Sequence, residues 1–205
     1  MDSGNVSAII SATAGLIGVI VGNSFVAVKE YLAGHRSRRE NTLYLGILVV
    51  SHLERFANGC LAVAEDDGTE RGRPAGTDGQ HTTTTKVPEF LPLSLSVDWK
   101  LLPAELLYPI LRIPDDQESL QNWLEGFSEN DDDYPDHTEY FWIRRQGYAE
   151  LGLKVEELAE KLRSHCEMPT EKSDGGEWKR TQRLRGVAVD INRKRAAYER
   201  RQSGL

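Results

Sequence analysis

The densest set of groups able to do chemistry is the run Glu129, Asp131, Asp132, Asp133, Asp136, His137 and Glu139. Carboxylate oxygens at this density suit a hard cation such as Ca²⁺ or Mg²⁺, which gathers about six to eight oxygen ligands. The spacing argues against that use. A calcium loop alternates its acids and turns on a glycine, whereas here three aspartates are adjacent and Pro135 interrupts the run. Neighbouring acids point in different directions, so a solvated turn is expected and no residue is assigned as a metal ligand.

The other reactive side chains are dispersed. His35, His52, His81, His137 and His165 form neither a zinc-type spacing nor a metalloprotease motif. His165 falls at the end of a helical pattern, where the macrodipole alone favours a histidine. No serine or cysteine sits in a nucleophile motif. The glycine-rich stretch Gly72–Gly79 lacks both the Gly-Lys-Ser/Thr ending and the strand-to-helix setting of a phosphate loop. Cys60 and Cys166 lie within apolar helical patterns, as small buried hydrophobes in a reducing compartment do. Catalytic, cofactor-binding and metal positions are therefore left empty, no cofactor is expected, and the chain reads as a non-enzyme.

Charge is unevenly spread. The chain carries −7 in total, residues 65–139 carry −13 and residues 140–205 carry +5. The basic excess is concentrated in Lys179, Arg180, Arg183, Arg185, Arg193, Lys194, Arg195, Arg200 and Arg201, opposed by Glu177, Asp190 and Glu199. Three destinations are open to it, ranked here in order. The first is pairing with the acidic middle of the same domain, the second is anionic lipid headgroups, and the third is nucleic acid. The last is not expected, because only Trp178 and Tyr198 interleave the cations.

These groups must be positioned by helices, and the first helix sets the location of the rest. Val6–Val28 contains no charge, in a chain of which 28% is charged, and eleven of its positions are Val, Ile, Leu or Phe. At about 1.5 Å per residue it spans roughly 35 Å, slightly more than a hydrocarbon core. Its apolar residues favour insertion by roughly 3–6 kcal/mol, reduced by Gly15, Gly18, Gly22, Asn23 and several Ser and Thr residues. A cleaved signal peptide would carry its positive charge before the apolar run; here Asp2 precedes it and Lys29, Arg36, Arg38 and Arg39 follow. The cations place the N-terminus outside and the remainder in the cytoplasm of an inner (plasma) membrane. Ser7, Ser11 and Gly15 form one row at fourfold spacing, and Ala14, Gly18 and Gly22 another, a pattern that lets two helices pack closely. The expected partners are thus the lipid bilayer, a second copy through the span, and an unidentified protein.

Beyond the anchor (1–28), residues 29–205 are expected to form one helical domain. Lys29 to about Glu65 reads as a continuing helix, with Leu43, Ile47, Val50, Ala57, Cys60 or Leu61 and Ala64 at helical spacing and residues 43–50 apolar all round. Residues 66–87 read as a long flexible loop. Pro88 and Pro92 argue against a strand over 89–99. Pro103 opens a short helix, and Asp115 or Asp116 caps a second carrying Leu120, Trp123, Leu124 and Phe127. A long helix follows over about 138–167, with Phe141, Tyr148, Leu151, Val155, Leu158 and Leu162 as its core stripe, and another over about 178–201, with Leu184, Val187 or Ala188, Ile191 and Tyr198 on one face. The fold class is all-α: one transmembrane helix, then an antiparallel helical bundle with a long flexible loop. Two functions fit, a membrane-anchored scaffold for another protein and, as the alternative, a membrane effector or regulator (toxin, lysis or defence component) that oligomerises in the bilayer.

Overall fold

A computed structural model describes the backbone of residues 3–169 and 176–202, with side chains over 29–169 and 180–201. The protein is all-α. Helix α1 runs unbroken from Ser3 to Glu65, followed by a hairpin of two-residue strands, β1 (Thr69–Glu70) and β2 (Arg73–Pro74). Two 3₁₀ turns, Pro92–Ser94 and Trp99–Leu101, lead to α2 (Ala104–Leu111), α3 (Ile113–Ser128), α4 (Thr138–His165) and α5 (Gly176–Gln202).

The chain divides into two compact units, Met1–Thr42 and Leu43–Leu205. The described part of the first is the N-terminal stretch of α1, and the rest of that helix belongs to the second. Every side chain from Lys29 to Asn41 is exposed, and the cation Arg36 pairs with Glu40 one turn on, at 3.1 Å. The side chains of the expected span Val6–Val28 lie outside the described residues. Among the described residues, one helical stretch, Lys29–Glu65, is long and apolar enough by length and composition to cross a membrane, and half of its apolar window is buried inside the protein. That burial is the core-facing part after Leu43, where Leu45, Val49, Val50, Leu53, Phe56, Ala57 and Cys60 are each at most 3% exposed.

In the second unit, the core joins the end of α1 to α4 and α5, with α2 and α3 laid over α4. The stripe Phe141, Tyr148, Leu151, Val155, Leu158 and Leu162 of α4 is buried in full, and α5 contributes Leu184, Val187 and Ile191. Period 3.6 explains both sets. The 89–99 segment packs as extended chain broken by the two 3₁₀ turns, with Phe90 and Pro92 buried.

Several local expectations need correction. Residues 43–50 are not enclosed on all sides: Tyr44 and Ile47 are exposed, because one face of α1 stays in solvent. Trp123 is also exposed, since Leu120, Leu124 and Phe127 already complete the inward face of α3. Tyr198 is half-exposed but sets its ring edge-on to Trp142 at 5.9 Å. Asp115 and Asp116 do not cap α3. The helix starts earlier, at Ile113, with Pro114 in its first turn, and the two acids sit inside that turn against the positive end of the dipole. Pro103 occupies the capping position of α2 rather than its first helical one.

The close approach of α1, α4 and α5 depends on Gly152. A Cβ there would lie 3.1 Å from Cys60 Cβ and from both terminal carbons of Leu184. Gly152→Val should cost about 1–3 kcal/mol by overpacking. Gly126 in α3 has nothing within 4 Å of its would-be Cβ, so Gly126→Ala should gain about 0.5–1 kcal/mol from helix propensity. Thermal unfolding followed by circular dichroism should move in opposite directions for the two.

Candidate functional site

The most concentrated polar chemistry in the described residues is a clasp at the end of α1. Asp66 immediately follows the helix, and its side chain is fully buried. An isolated carboxylate there would be prohibitively costly, and the surroundings supply a donor for each lone pair. Asp66 Oδ1 accepts from Thr84 Oγ1 at 2.8 Å and Gly68 N at 3.2 Å. Oδ2 accepts from Thr85 Oγ1 at 2.8 Å, Thr84 N at 2.9 Å, Thr85 N at 3.0 Å and Arg144 Nη1 at 2.9 Å. Arg144 is 3% exposed and uses its second nitrogen on Thr85, donating to both its carbonyl and its hydroxyl at 3.2 Å. Beside it, Arg145 Nε donates to the Ala64 carbonyl at 2.9 Å, covering an orphan acceptor at the end of α1.

Burial alone would raise the Asp66 pKa. The hydrogen bonds from Thr85, Thr84, Gly68 and the Thr85 backbone outweigh it and hold the carboxyl at about 2. A carboxyl depressed in the folded state contributes stability that is present above its unfolded value near 4. That stability is lost as pH falls through about 2. The clasp should therefore leave chemical-denaturation midpoints unaffected from pH 7 to about 4. It should remove about 2 kcal/mol below that, a loss absent from the Asp66→Asn chain.

Chemically the clasp is saturated. Both carboxylate oxygens and both terminal guanidinium nitrogens are engaged inside the protein, which fits a structural lock rather than a catalytic pair. It joins α1 and α4 to the stem of the 66–87 connection. That connection has almost no regular structure, as expected, but Thr84, Thr85 and Gly68 fasten its two ends. A Cβ on Gly68 would reach within 2.4 Å of the Phe141 ring, and its φ of +79° independently favours glycine.

The acidic run serves α4. Asp133 Oδ2 accepts from Thr138 N at 2.9 Å, at the positive end of that helix. Asp131 Oδ2 lies 2.8 Å from His137 Nδ1, with His137 itself left-handed at φ +48° in the capping position. Glu139 turns to Arg195 at 2.6 Å. Among the described residues, no three His, Cys, Asp or Glu side chains converge as a metal would need.

The basic helix α5 spends much of its charge inside the domain. Arg180 pairs with Glu156 in a nearly buried contact and donates to Asn58 Oδ1 at 2.9 Å. Arg183 reaches Glu65 at 2.7 Å, Arg195 reaches Glu139, and Arg193 and Lys194 share Asp190 at 2.6 and 2.9 Å. Glu65 and Glu139 bound the acidic middle, so pairing within the domain takes up part of the basic excess. Cys60 and Cys166 are buried and separate free thiols. Burial pushes Cys166 up to about 11 and Cys60 higher still, so neither is poised as a nucleophile.

Reading the sequence missed the Asp66–Arg144 pair. Its one visible trace is Arg144, a charged residue within one turn of Phe141 and Tyr148 on an otherwise apolar face. No protein family, curated protein or solved structure matches the chain.

Proposed function

We propose that this protein is a membrane-anchored, non-enzymatic helical scaffold, with Val6–Val28 as its single span, the N-terminus outside and the bundle in the cytoplasm. One observation carries the reading. The charge-free run heads a 63-residue helix and gives way at Lys29 to a segment whose side chains are all exposed and include Lys29, Arg36, Arg38 and Arg39. Tyr31, 73% exposed and stacked on His35, lies where an interfacial aromatic belongs. The reading of binding over catalysis is supported by the saturated Asp66–Arg144 clasp and by the use of Asp131, Asp133 and Glu139 in caps and internal pairs.

The test is capture from detergent-solubilised membranes with the full-length chain as bait. A scaffold should bring down a second protein in near-stoichiometric amount, and recovery of the chain alone would count against it. The small-residue rows of the anchor, Ser7, Ser11, Gly15 and Ala14, Gly18, Gly22, favour a second reading. In it the spans self-associate and the protein acts on the bilayer as an effector. Induction with a membrane-potential dye separates the two: a scaffold leaves the potential intact, and an effector collapses it.

A further inference from the structure

The outward face of α3 is set by the same period that sets its core. Ile113, Gln117 and Leu124 are buried, and on the opposite side Asp115, Glu118, Asn122, Gly126 and Glu129 recur at threes and fours, all exposed. On the flank of this stripe, Trp123 is 57% exposed and Phe127 is half-buried. Asn122, Trp123, Gly126, Phe127 and Asn130 line an open concavity of about 410 Å³. Gly126 leaves it unfilled, since a Cβ there would meet nothing within 4 Å, and Asn130 Nδ2 donates to the Gly126 carbonyl at 3.0 Å. A tryptophan at the edge of an unfilled apolar concavity is the side chain most often found to anchor a protein contact.

The helix around the concavity carries one sign of charge. No Lys or Arg occurs over 113–143. Asp116 is taken by Lys154 and Arg112, but the exposed carboxylates of Asp115, Glu118, Glu125 and Glu129 pair with no described residue. Such a field repels nucleic acid and anionic headgroups alike. A purely apolar partner would strip water from carboxylates that it could not pair. Apolar surface for an anchor and charge for a cation thus select the same kind of ligand.

We infer that this face of α3 is the docking surface of the scaffold and that its occupant is a basic amphipathic helix of another protein. An apolar side chain of that helix enters the concavity, as helices laid into grooves do. Its Lys and Arg residues lie over the Trp123 ring and reach Glu118, Glu125 and Glu129. The inference rests on the scaffold reading and gives the chemistry of the partner.

The test titrates the full-length chain, held in phosphatidylcholine nanodiscs and labelled with 5-fluorotryptophan, with a synthetic amphipathic peptide of Leu and Lys. The fluorine signal of Trp123 should shift on binding while those of Trp99 and Trp142 stay in place, and a peptide of the same pattern built from Leu and Glu should leave Trp123 unmoved. Gly126→Gln fills the concavity without changing charge, and Glu118→Gln, Glu125→Gln and Glu129→Gln together remove charge without filling it. Each change should weaken the Leu/Lys peptide by about ten-fold or more. All of these positions are exposed, so the fold is kept, and the lipid common to every sample cancels any binding of peptide to the nanodisc. A Trp123 signal that stays still, affinity indifferent to either variant, or a signal that moves on concentrating the protein alone, which would place a second copy on the face, overturns the inference. Capture from membranes separates this from the scaffold itself. A partner recovered equally by the native and Gly126→Gln chains overturns the docking face and leaves the scaffold standing, whereas peptide binding with no partner recovered counts against the scaffold and leaves the chemistry of the face standing.

Discussion

Asp66→Ala is expected to destabilise the bundle by about 3–5 kcal/mol, the largest effect of any single polar substitution in the domain. The reason lies in what it leaves behind. Arg144 is 3% exposed, and without Asp66 its charge stays buried with only Thr85 to meet it. Thr84 and Thr85 also lose the acceptor for their hydroxyl and backbone donors. Arg144→Met should cost less than Asp66→Ala. The carboxylate would still be held by Gly68, Thr84 and Thr85, and methionine fills much of the vacated volume. A double-mutant cycle by urea denaturation of the detergent-solubilised protein should return a coupling energy of about 1–3 kcal/mol between the pair. Additive effects would mean that the two side chains are not one unit. Amide exchange gives an independent reading: Thr84 and Thr85 N–H should be protected like the core, and should lose that protection in Asp66→Ala.

The second large effect concerns the proposed anchor. Ile17 lies at the middle of Val6–Val28, where an arginine costs about 2.5–3.5 kcal/mol and the lost isoleucine forfeits about another half. The segment's apolar residues supply only about 3–6 kcal/mol before its Gly, Ser, Thr and Asn residues are counted. A single Ile17→Arg change should therefore remove most or all of the insertion free energy and shift most of the chain out of the membrane fraction. Ile17→Leu should leave the distribution unchanged. The same Arg placed at Tyr31, beyond the run, should have no effect on insertion.

What the sequence displayed well was periodic. The apolar stripe of α4 could be read residue by residue because Phe141, Tyr148, Leu151, Val155, Leu158 and Leu162 recur at threes and fours over twenty-odd positions. The same rule was ambiguous over short or uniformly apolar stretches. Around Ile47 every neighbour is apolar, so periodicity does not say which side meets solvent. In α3, Trp123 and Leu124 are adjacent, and only the completed packing decides between them. Helix starts were less legible still, since Asp115 and Asp116 look like caps from sequence but the proline at 114 lets the helix begin before them.

The clasp was out of reach for a different reason. Asp66 and Arg144 are separated by 78 positions; Arg144 stands out on an apolar face, but Asp66 resembles a solvated charge in its local context and nothing local names the one as the other's partner. Only a fold that brings the end of α1 against the start of α4, and returns Thr84 and Thr85 to the same point, makes them partners. The acidic run misled in the opposite sense. It resembles a cation site in composition, yet its backbone uses Asp131 and Asp133 to begin α4.

The account rests on Val6–Val28 residing in a bilayer, and alkaline carbonate extraction tests that most directly. Membranes from cells expressing the full-length chain are washed with alkaline carbonate containing high salt, which opens vesicles and screens peripheral ion pairs with lipid, and then treated with mild detergent. The anchored protein should stay in the pellet through the carbonate wash and be released only by detergent, while the chain lacking residues 6–28 is found in the supernatant from the outset. Full-length protein that fractionates as soluble without detergent would contradict the anchor and the scaffold built on it.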